Sequence, residues 1–508
     1  MSSDSLLLKL KGSFQDCSII GQNFVPCDIL NVVTKEAVKS GLRRSLRSRV
    51  FSDGLPGQIA KSSRRLFAIL VIIGEPQAIK KLVGDGLNDS DLPFVMPKHA
   101  SNGSVLKSSS GKTVTSFQDW GNAAKVDLFL EKQWLFLAPV LDVSGKPEVV
   151  YVDPTCPLPF LRATEIRGEH SSIVYKSELH AAHQKGAGVQ NKDMLIAVKT
   201  FHKAVGRTMF KQEMNNLERT QGIIDKHLIR YLFCCERADS YFIAFPWADG
   251  GNLEHLWKLH TSDPGLMLWS LQQMLGISGA LQKLHEINCR HGDLKPGNIL
   301  HFKEGGRGRL VIADVGISKV HKLATNMRVG DTNTRATTPA YEPPEALMET
   351  DKPRPRRYDI WSMACIYLEF IIWMIYGFDA IASFTDARDD RRSMAIKQTS
   401  NFFTLRGADP EIHPSVLNAF AVLRSDPRCR GDTALGALVN LITEHLLLIR
   451  VDDRVTADVM YEKLGKIVQR ATKDPSFIMN QVKSRPITPA IFRRPVKVSD
   501  GPITATSW

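Results

Sequence analysis

The chain has no C-x-x-C pair. Its eight cysteines, Cys17, Cys27, Cys156, Cys234, Cys235, Cys289, Cys365 and Cys429, are scattered over 508 residues. That spacing excludes a zinc ribbon or a thioredoxin-type dithiol, and thiols dispersed through so long a chain fit a reducing compartment. Cys234-Cys235 reads as two buried thiols rather than a redox pair. The two most apolar stretches, Leu66–Ile73 and Phe370–Tyr376, fall well short of the roughly 20 residues a spanning helix needs. The opening MSSDSLLLKLKG lacks the apolar stretch and small-residue cleavage site of a secretory leader. Cytoplasm or nucleus is the expected address, with no membrane partner. Basic runs interleaved with aromatics, the pattern that stacks single strands, are absent. Lys plus Arg number 66 against 53 Asp plus Glu, a formal net charge of +13, but the excess is spread along the chain, so no nucleic-acid partner is expected. There is no internal repeat.

What is present divides by pattern. Residues 1–100 mix short apolar runs with turn signals and read as a mainly helical N-terminal region of unknown role. Within it RLFAILVIIGEP is a buried strand or short helix closed by Gly74 and Pro76. The basic run Arg43–Arg49 reads as a solvated helix face rather than a nuclear signal. Residues 101–119 open Ser/Gly-rich and predict a flexible linker. Residues 120–159 form a helical lead-in, in which NAAKVDLFLEKQWLFL (122–137) has the spacing of a packed helix stopped by Pro139. From about 160 the pattern changes. The β-rich runs SSIVYKSEL, MLIAVKTF and YFIAFPW come first, and longer helical patterns follow from about 266. Strands first and helices later predict an α+β unit over 160–470 with a small sheet-rich lobe and a larger helical one. The tail, 471–508, is basic and Pro-containing, and is expected to be mostly disordered or lightly docked.

Chemistry-bearing residues recur in a fixed order. Ile196-Ala197-Val198-Lys199 sets a lysine in a strand, where a core would normally refuse it. Fourteen residues on, Glu213 lies among Phe210, Met214 and Leu217, which have helical spacing. Phe245-Pro246-Trp247-Ala248 ends a strand. His291-Gly292-Asp293-Leu294-Lys295-Pro296-Gly297-Asn298 places a carboxylate, an ammonium and an amide on one short loop. An apolar strand then delivers Asp314 to the turn Asp314-Val315-Gly316. A hairpin turning at Gly305-Gly306 would bring Asn298 and Asp314 to the same end. Thr338-Pro339-Ala340-Tyr341-Glu342-Pro343-Pro344-Glu345, YDIWSMACIYLEF and VDDRVTADV follow.

This series resembles the eukaryotic protein kinase family, serine/threonine type, in a bilobal kinase-like fold over about residues 160–470. FLEKQWLFLAPV and CRHGDLKPGNILHF also resemble a kinase group common in filamentous fungi. The resemblance implies ATP and Mg²⁺ as cofactors and proteins as substrates. Asp293 would accept the proton of the attacking hydroxyl, and Lys295 would neutralise charge on the transferring phosphate. Asn298 and Asp314 would hold the metal. Lys199 would hold the α- and β-phosphates and pair with Glu213. Phe245 would be the gatekeeper, with the Pro246 carbonyl and the Ala248 N–H facing adenine. Gly168, Val174, Ala197 and Leu300 would line the nucleotide site. Thr338, with Lys295, marks serine/threonine rather than tyrosine specificity. Asp359 would brace the catalytic-loop backbone, and Arg454 would pair with Glu345.

There are departures. Ile166–Tyr175, at the glycine-loop position, keeps a single glycine, so His170 and Ser172 would hinder close approach of backbone N–H groups to phosphate and weaken ATP binding or alter the loop. Gly292 stands where many relatives have an arginine that pairs with a phosphate, so control through Thr332, Thr334 or Thr337 would not run by that route. Val315 replaces a phenylalanine, a loss of packing rather than of chemistry. His291 reads as a packed structural histidine, and KPRPRR (352–357) as a solvated loop. Two other readings stand beside the enzyme: a pseudokinase acting as a binding scaffold, and a small-molecule kinase of the aminoglycoside or choline type. Gly292 favours the latter, while Lys295, the Asp314 string and the Glu345/Arg454 pair oppose it.

Overall fold

A computed structural model describes residues 3–42, 54–97, 105–120, 122–146, 148–168, 172–186, 190–201, 206–259, 264–315, 339–348, 354–389, 400–480 and 488–493. They form two units: Met1–Phe210 with Tyr231–Trp247, and Lys211–Arg230 with Ala248–Trp508. The basic run Arg43–Arg49 lies outside the described residues.

The first unit opens with α1 (Ser3–Gly12) and a hairpin of β1 (Gln15–Cys17) and β2 (Gln22–Phe24). Next come α2 (Lys35–Leu42), α3 (Leu55–Ser62), α4 (Arg64–Ile72) and α5 (Ile79–Gly84). The ambiguous run RLFAILVIIGEP is α4, with Leu66 to Leu70 fully buried. A helix apolar on every side belongs inside a core, and the chain leaves it through Gly74 at φ +82°.

The stretch expected as a linker is folded from residue 105 onward. β3 (Phe94–Val95), β4 (Leu106–Ser108) and β5 (Thr113–Val114) make an antiparallel sheet. Leu106, Val114 and Phe117 are buried in the core that includes Phe129 of α6 (Ala123–Lys132). The Ser/Gly residues supply a hairpin turn instead of a tether. Gly111 takes φ +84°, the Ser108 hydroxyl accepts from Lys112 N at 2.9 Å, and the Ser110 hydroxyl donates to Asp91 at 2.6 Å.

The main sheet also starts before the expected boundary at 160. After β6 (Leu141–Asp142) come β7 (Val149–Val152), β8 (Phe160–Gly168), β9 (Ser172–Leu179), β10 (Gln184–Lys185), β11 (Met194–Phe201), β12 (Phe233–Arg237) and β13 (Ser240–Pro246). Six of them run in the order β7-β12-β13-β11-β9-β8. β7, from the stretch read as helical lead-in, pairs parallel with β12, and the other pairs are antiparallel. One face packs Ile196, Val198, Phe233, Cys235, Phe242 and Ala244 into a core with Cys17 and Phe160. Strand alternation puts Ala197 and Lys199 on the other face.

The second unit is helical. α7 (Gly206–Thr220) leads into it, followed by α8 (Leu253–Leu259), α9 (Pro264–Glu286) and the hairpin β14 (Ile299–Phe302)–β15 (Arg309–Ile312). Beyond lie α10 (Glu345–Met348), α11 (Tyr358–Tyr376), α12 (Phe378–Ala387), the β16 (Phe403–Arg406)–β17 (Asp409–Ile412) hairpin, α13 (Pro414–Ser425), α14 (Ala434–Leu441) and α15 (Ala457–Lys473). α11 is long and apolar enough to cross a membrane, yet it is wholly enclosed from Tyr358 to Ile375, as the central helix of a core. Part of the tail docks on this core: Phe477, Ile478 and Phe492 are buried, and the Phe492 ring lies 4.9 Å from that of Tyr376.

Candidate active site

In the second unit the site is organised by Asp359, in the first turn of α11 and 0% exposed. Its carboxylate accepts from the backbone N–H groups of His291 and Gly292, each at 2.8 Å, and from His285 Nε2 at 2.8 Å. Burial alone would push its carboxyl up, but the His285 hydrogen bond, the neighbouring imidazoles and the Gly292 amide outweigh that and hold it below the ordinary value. Two consecutive N–H groups reach one carboxylate with Gly292 at φ +79°, a conformation that glycine adopts without strain. His291 is fully buried and both ring nitrogens are engaged. Nε2–H donates to the Ala313 carbonyl at 2.7 Å, and Nδ1 accepts from Asp293 N at 3.3 Å. It is a structural histidine.

The braced loop presents three groups together. Lys295 Nζ lies 2.9 Å from Asp293 Oδ2. Asn298, in the turn Pro296–Asn298, donates from Nδ2 to the Asp293 carbonyl at 2.8 Å and to Asp293 Oδ2 at 2.9 Å. With both donations directed at Asp293, the Asn298 amide is fixed in orientation. Its Oδ1 is buried and has no hydrogen-bond partner. A buried acceptor left unmade costs about 1–3 kcal/mol, so this oxygen is suited to a ligand. β15 delivers Asp314 beside it: Ala313 N donates to the Asn298 carbonyl at 2.9 Å. Asp314 itself sits at φ +58°, a left-handed conformation that short polar side chains tolerate better than most.

Asn298 Oδ1 and the Asp314 carboxylate are hard oxygen donors, which fits Mg²⁺. That ion takes one or two protein oxygens and completes its shell with water and phosphate. Among the described residues no cluster of three or more His, Cys, Asp or Glu could hold a metal by itself.

Ala248 and Leu300 join the same assembly. Gly250 N donates to the His301 carbonyl at 2.9 Å, and His301 N donates to Gly251 O at 2.7 Å. This staples the segment after Ala248 onto β14, with Asn252 bridged to Leu300. Gly250 is required there, since a Cβ would stand 2.2 Å from His301 Nδ1.

In the first unit, Lys199 is 6% exposed on β11, with Val174 across on β9 and Ile243 across on β13. Ala197 faces Phe245, so Val174, Ala197, Lys199 and Phe245 share one sheet face. Pro246 pairs with Ile196 on the opposite face, and Gly168 ends β8. Glu213 lies mid-helix in α7, half-buried between buried Phe210 and Leu217. Glu213 belongs to the second unit and Lys199 to the first. Thr338, Thr332, Thr334, Thr337, His170 and Gly316 lie outside the described residues.

Two interactions expected from the motifs are present. One is Asp359 on the loop backbone. The other is the Glu345–Arg454 pair, at 2.7 and 2.8 Å. Sequence reasoning missed a further anchor. Tyr341 Oη donates to Glu369 at 2.7 Å, and Arg388 pairs with Glu369 at 2.9 Å, both charges being 1% exposed. Burial raises the Glu369 carboxyl, and Arg388 and Tyr341 oppose that rise. The signal was there to find: a Glu within the apolar run of α11 needs a buried partner. His285, the third donor to Asp359, was missed as well.

Residues 185–418 match the family model described as a protein kinase domain. The chain is 28% identical over 162 residues to mitogen-activated protein kinase kinase kinase 4 of Homo sapiens, covering 32% of this chain and 10% of that protein. It is 29% identical over 192 residues to serine/threonine-protein kinase ULK1 of Homo sapiens, covering 36% and 17%. It is 25% identical over 248 residues to serine/threonine-protein kinase Sgk1 of Rattus norvegicus, covering 46% and 53%. The chain thus spans between about a tenth and a half of the length of these relatives. The segment 185–418, which carries the braced loop and Asp314, is a protein kinase domain.

Proposed function

We propose that the chain is an ATP- and Mg²⁺-dependent protein kinase that phosphorylates serine or threonine in protein substrates. The observation that carries this reading is the amide of Asn298. It is locked onto Asp293 by two donations, and its buried oxygen is left without a partner beside the strand that delivers Asp314. Asp293 orients the substrate hydroxyl and takes its proton. Lys295, held against Asp293, stabilises charge on the phosphate in transfer. Asn298 and Asp314 would hold Mg²⁺, which would supply charge neutralisation at the phosphates. Lys199, on the strand face it shares with Val174, Ala197 and Phe245, places the triphosphate. In the first unit Phe245 and Pro246 meet adenine, and Gly168, Val174 and Ala197 line the nucleotide site. Serine/threonine rather than tyrosine is favoured by Lys295 and Thr338, and by the similarity to the serine/threonine-protein kinases ULK1 and Sgk1. The proposed address is cytoplasm or nucleus.

Transfer of radiolabel from ATP to protein tests this. Asp293→Asn should lower turnover by about two to four orders of magnitude. A wild-type rate in that variant overturns the assignment. A second reading, a scaffold without phosphoryl transfer, is favoured by the single glycine, Gly168, in the stretch Ile166–Tyr175. It predicts nucleotide or partner binding with no transfer, even in the wild type.

A further inference from the structure

β8 carries two irregularities that no family motif calls for. Leu161 pairs with Glu178 and Thr164 with Lys176, so Arg162 and Ala163 together oppose the single residue Ser177. A second extra residue, Ile166, falls between Glu165 and Arg167. Each bulge shifts side-chain phase by one residue and bends the strand, so the pair sets where the β8–β9 hairpin aims its far end at Gly168.

The first bulge is held from several sides. Arg162 sits at φ +47°, a left-handed conformation uncommon for any residue but glycine, and its guanidinium straps β8 to Glu178 of β9. The Ser177 hydroxyl donates to the Leu161 carbonyl at 2.7 Å. The Ala163 N–H, taken out of the ladder by the bulge, donates to the hydroxyl of Ser18 at 3.0 Å, 145 residues away in sequence.

Ser18 is itself fixed. It opens the tight turn between β1 and β2, closed by Gly21 N donating to the Cys17 carbonyl at 2.9 Å. On one side of the turn Cys17 is buried in the sheet's core, and on the other Gln22 accepts from Arg237 of β12 at 2.9 Å. The side chain of Ser18 is exposed, so packing does not explain its place. Its visible structural task is the hydrogen bond to the bulge.

We propose that Ser18 is a positioning residue: through the Ala163 amide it holds the β8 bulge that aims the nucleotide-side hairpin, so the N-terminal region is a working part of the nucleotide site. This rests on the kinase reading of that site.

The test uses the full chain as wild type, Ser18→Ala and Ser18→Thr, with two readouts. Hydrogen exchange at the Ala163 amide should speed up by about tenfold in Ser18→Ala, the weight of one hydrogen bond. Ser18→Thr, which keeps the hydroxyl, should restore it. The affinity for MgATP should fall several-fold in Ser18→Ala, appearing in KM with kcat little changed, and should also return in Ser18→Thr. Unchanged exchange at Ala163 overturns the clasp. Faster exchange with unchanged MgATP affinity overturns the positioning role. A wild-type chain that binds no MgATP defeats the kinase reading and the role that rests on it, while the exchange measurement still reports the clasp by itself.

Discussion

Arg454 and Glu345, 109 residues apart in the chain, meet as a two-pronged pair with Nη1–Oε1 at 2.7 Å and Nη2–Oε2 at 2.8 Å. Arg454 is 1% exposed and also donates to the carbonyls of Leu448, Ile449 and Arg357. It thereby joins the segment that opens α10 to the turn preceding α15. Removing one partner of so buried a pair leaves the other charge uncompensated, at a cost of about 3–5 kcal/mol. Arg454→Met should lower unfolding free energy by that amount in urea titration. A double variant with Glu345→Gln should cost less than the two single changes added together.

Asp359 makes acid stability a readout of the loop brace. Its carboxyl is held below the ordinary value because His285, His291 and Gly292 outweigh the effect of burial. A lowered folded value means the carboxylate's stabilisation is complete above the unfolded value of about 3.9 and drains away as pH falls from there through the folded value. Unfolding free energy followed from neutral pH down into that acid range should fall steeply for the wild type. Asp359→Asn should be less stable at neutral pH by about 1–3 kcal/mol and should show a flatter acid limb.

Asn298 has two separable functions, donation to Asp293 and an unpartnered oxygen. Asn298→Ala removes both. Asn298→Asp keeps an oxygen and loses the donation. The Mg²⁺ concentration needed for half-maximal nucleotide binding should rise about 10- to 100-fold in the alanine variant and less in the aspartate variant. Calorimetric titration checks this without requiring turnover.

Gly250→Ala forces a Cβ to 2.2 Å from His301 Nδ1 and 2.7 Å from the His301 carbonyl. The staple between the segment after Ala248 and β14 must open or shift. Overpacking of this kind costs about 1–3 kcal/mol. Thermal unfolding should show that loss, with hydrogen exchange rising first at the His301 amide, which donates to Gly251.

The candidate site was largely legible before the fold, because its groups lie close together in the chain. Asp293, Lys295 and Asn298 share one loop, and the hairpin between Asn298 and Asp314 is short enough to return on itself through the two adjacent glycines. The tertiary anchors were legible where a motif marked them, as with Asp359 and Arg454, and not where none did. Glu369, Arg388 and Tyr341 are brought together only when α11 is enclosed. Ser18 meets Ala163 only because an N-terminal hairpin lies along β8.

The stretch from 101 shows how composition misleads. Serine and glycine describe a flexible tether and a tight hairpin turn equally well, and the apolar Leu106 and Val114 decide between them only once a core exists to receive them. The same holds for Val149–Val152. Its β-branched residues fit a strand, but a parallel partner needs a long crossover and cannot be read locally.

By itself the sequence determined which candidate residues share one short loop and that strands precede helices, since loop spacing, helical periodicity and strand alternation act over a few residues. Only the tertiary structure decided that the sheet begins at β7, that the Ser/Gly residues between β4 and β5 form a hairpin turn, that Glu369 pairs with Arg388, and that Ser18 meets the Ala163 amide. Those contacts join segments distant in the chain, and burial, which makes a charge or an amide require a partner, exists only after folding.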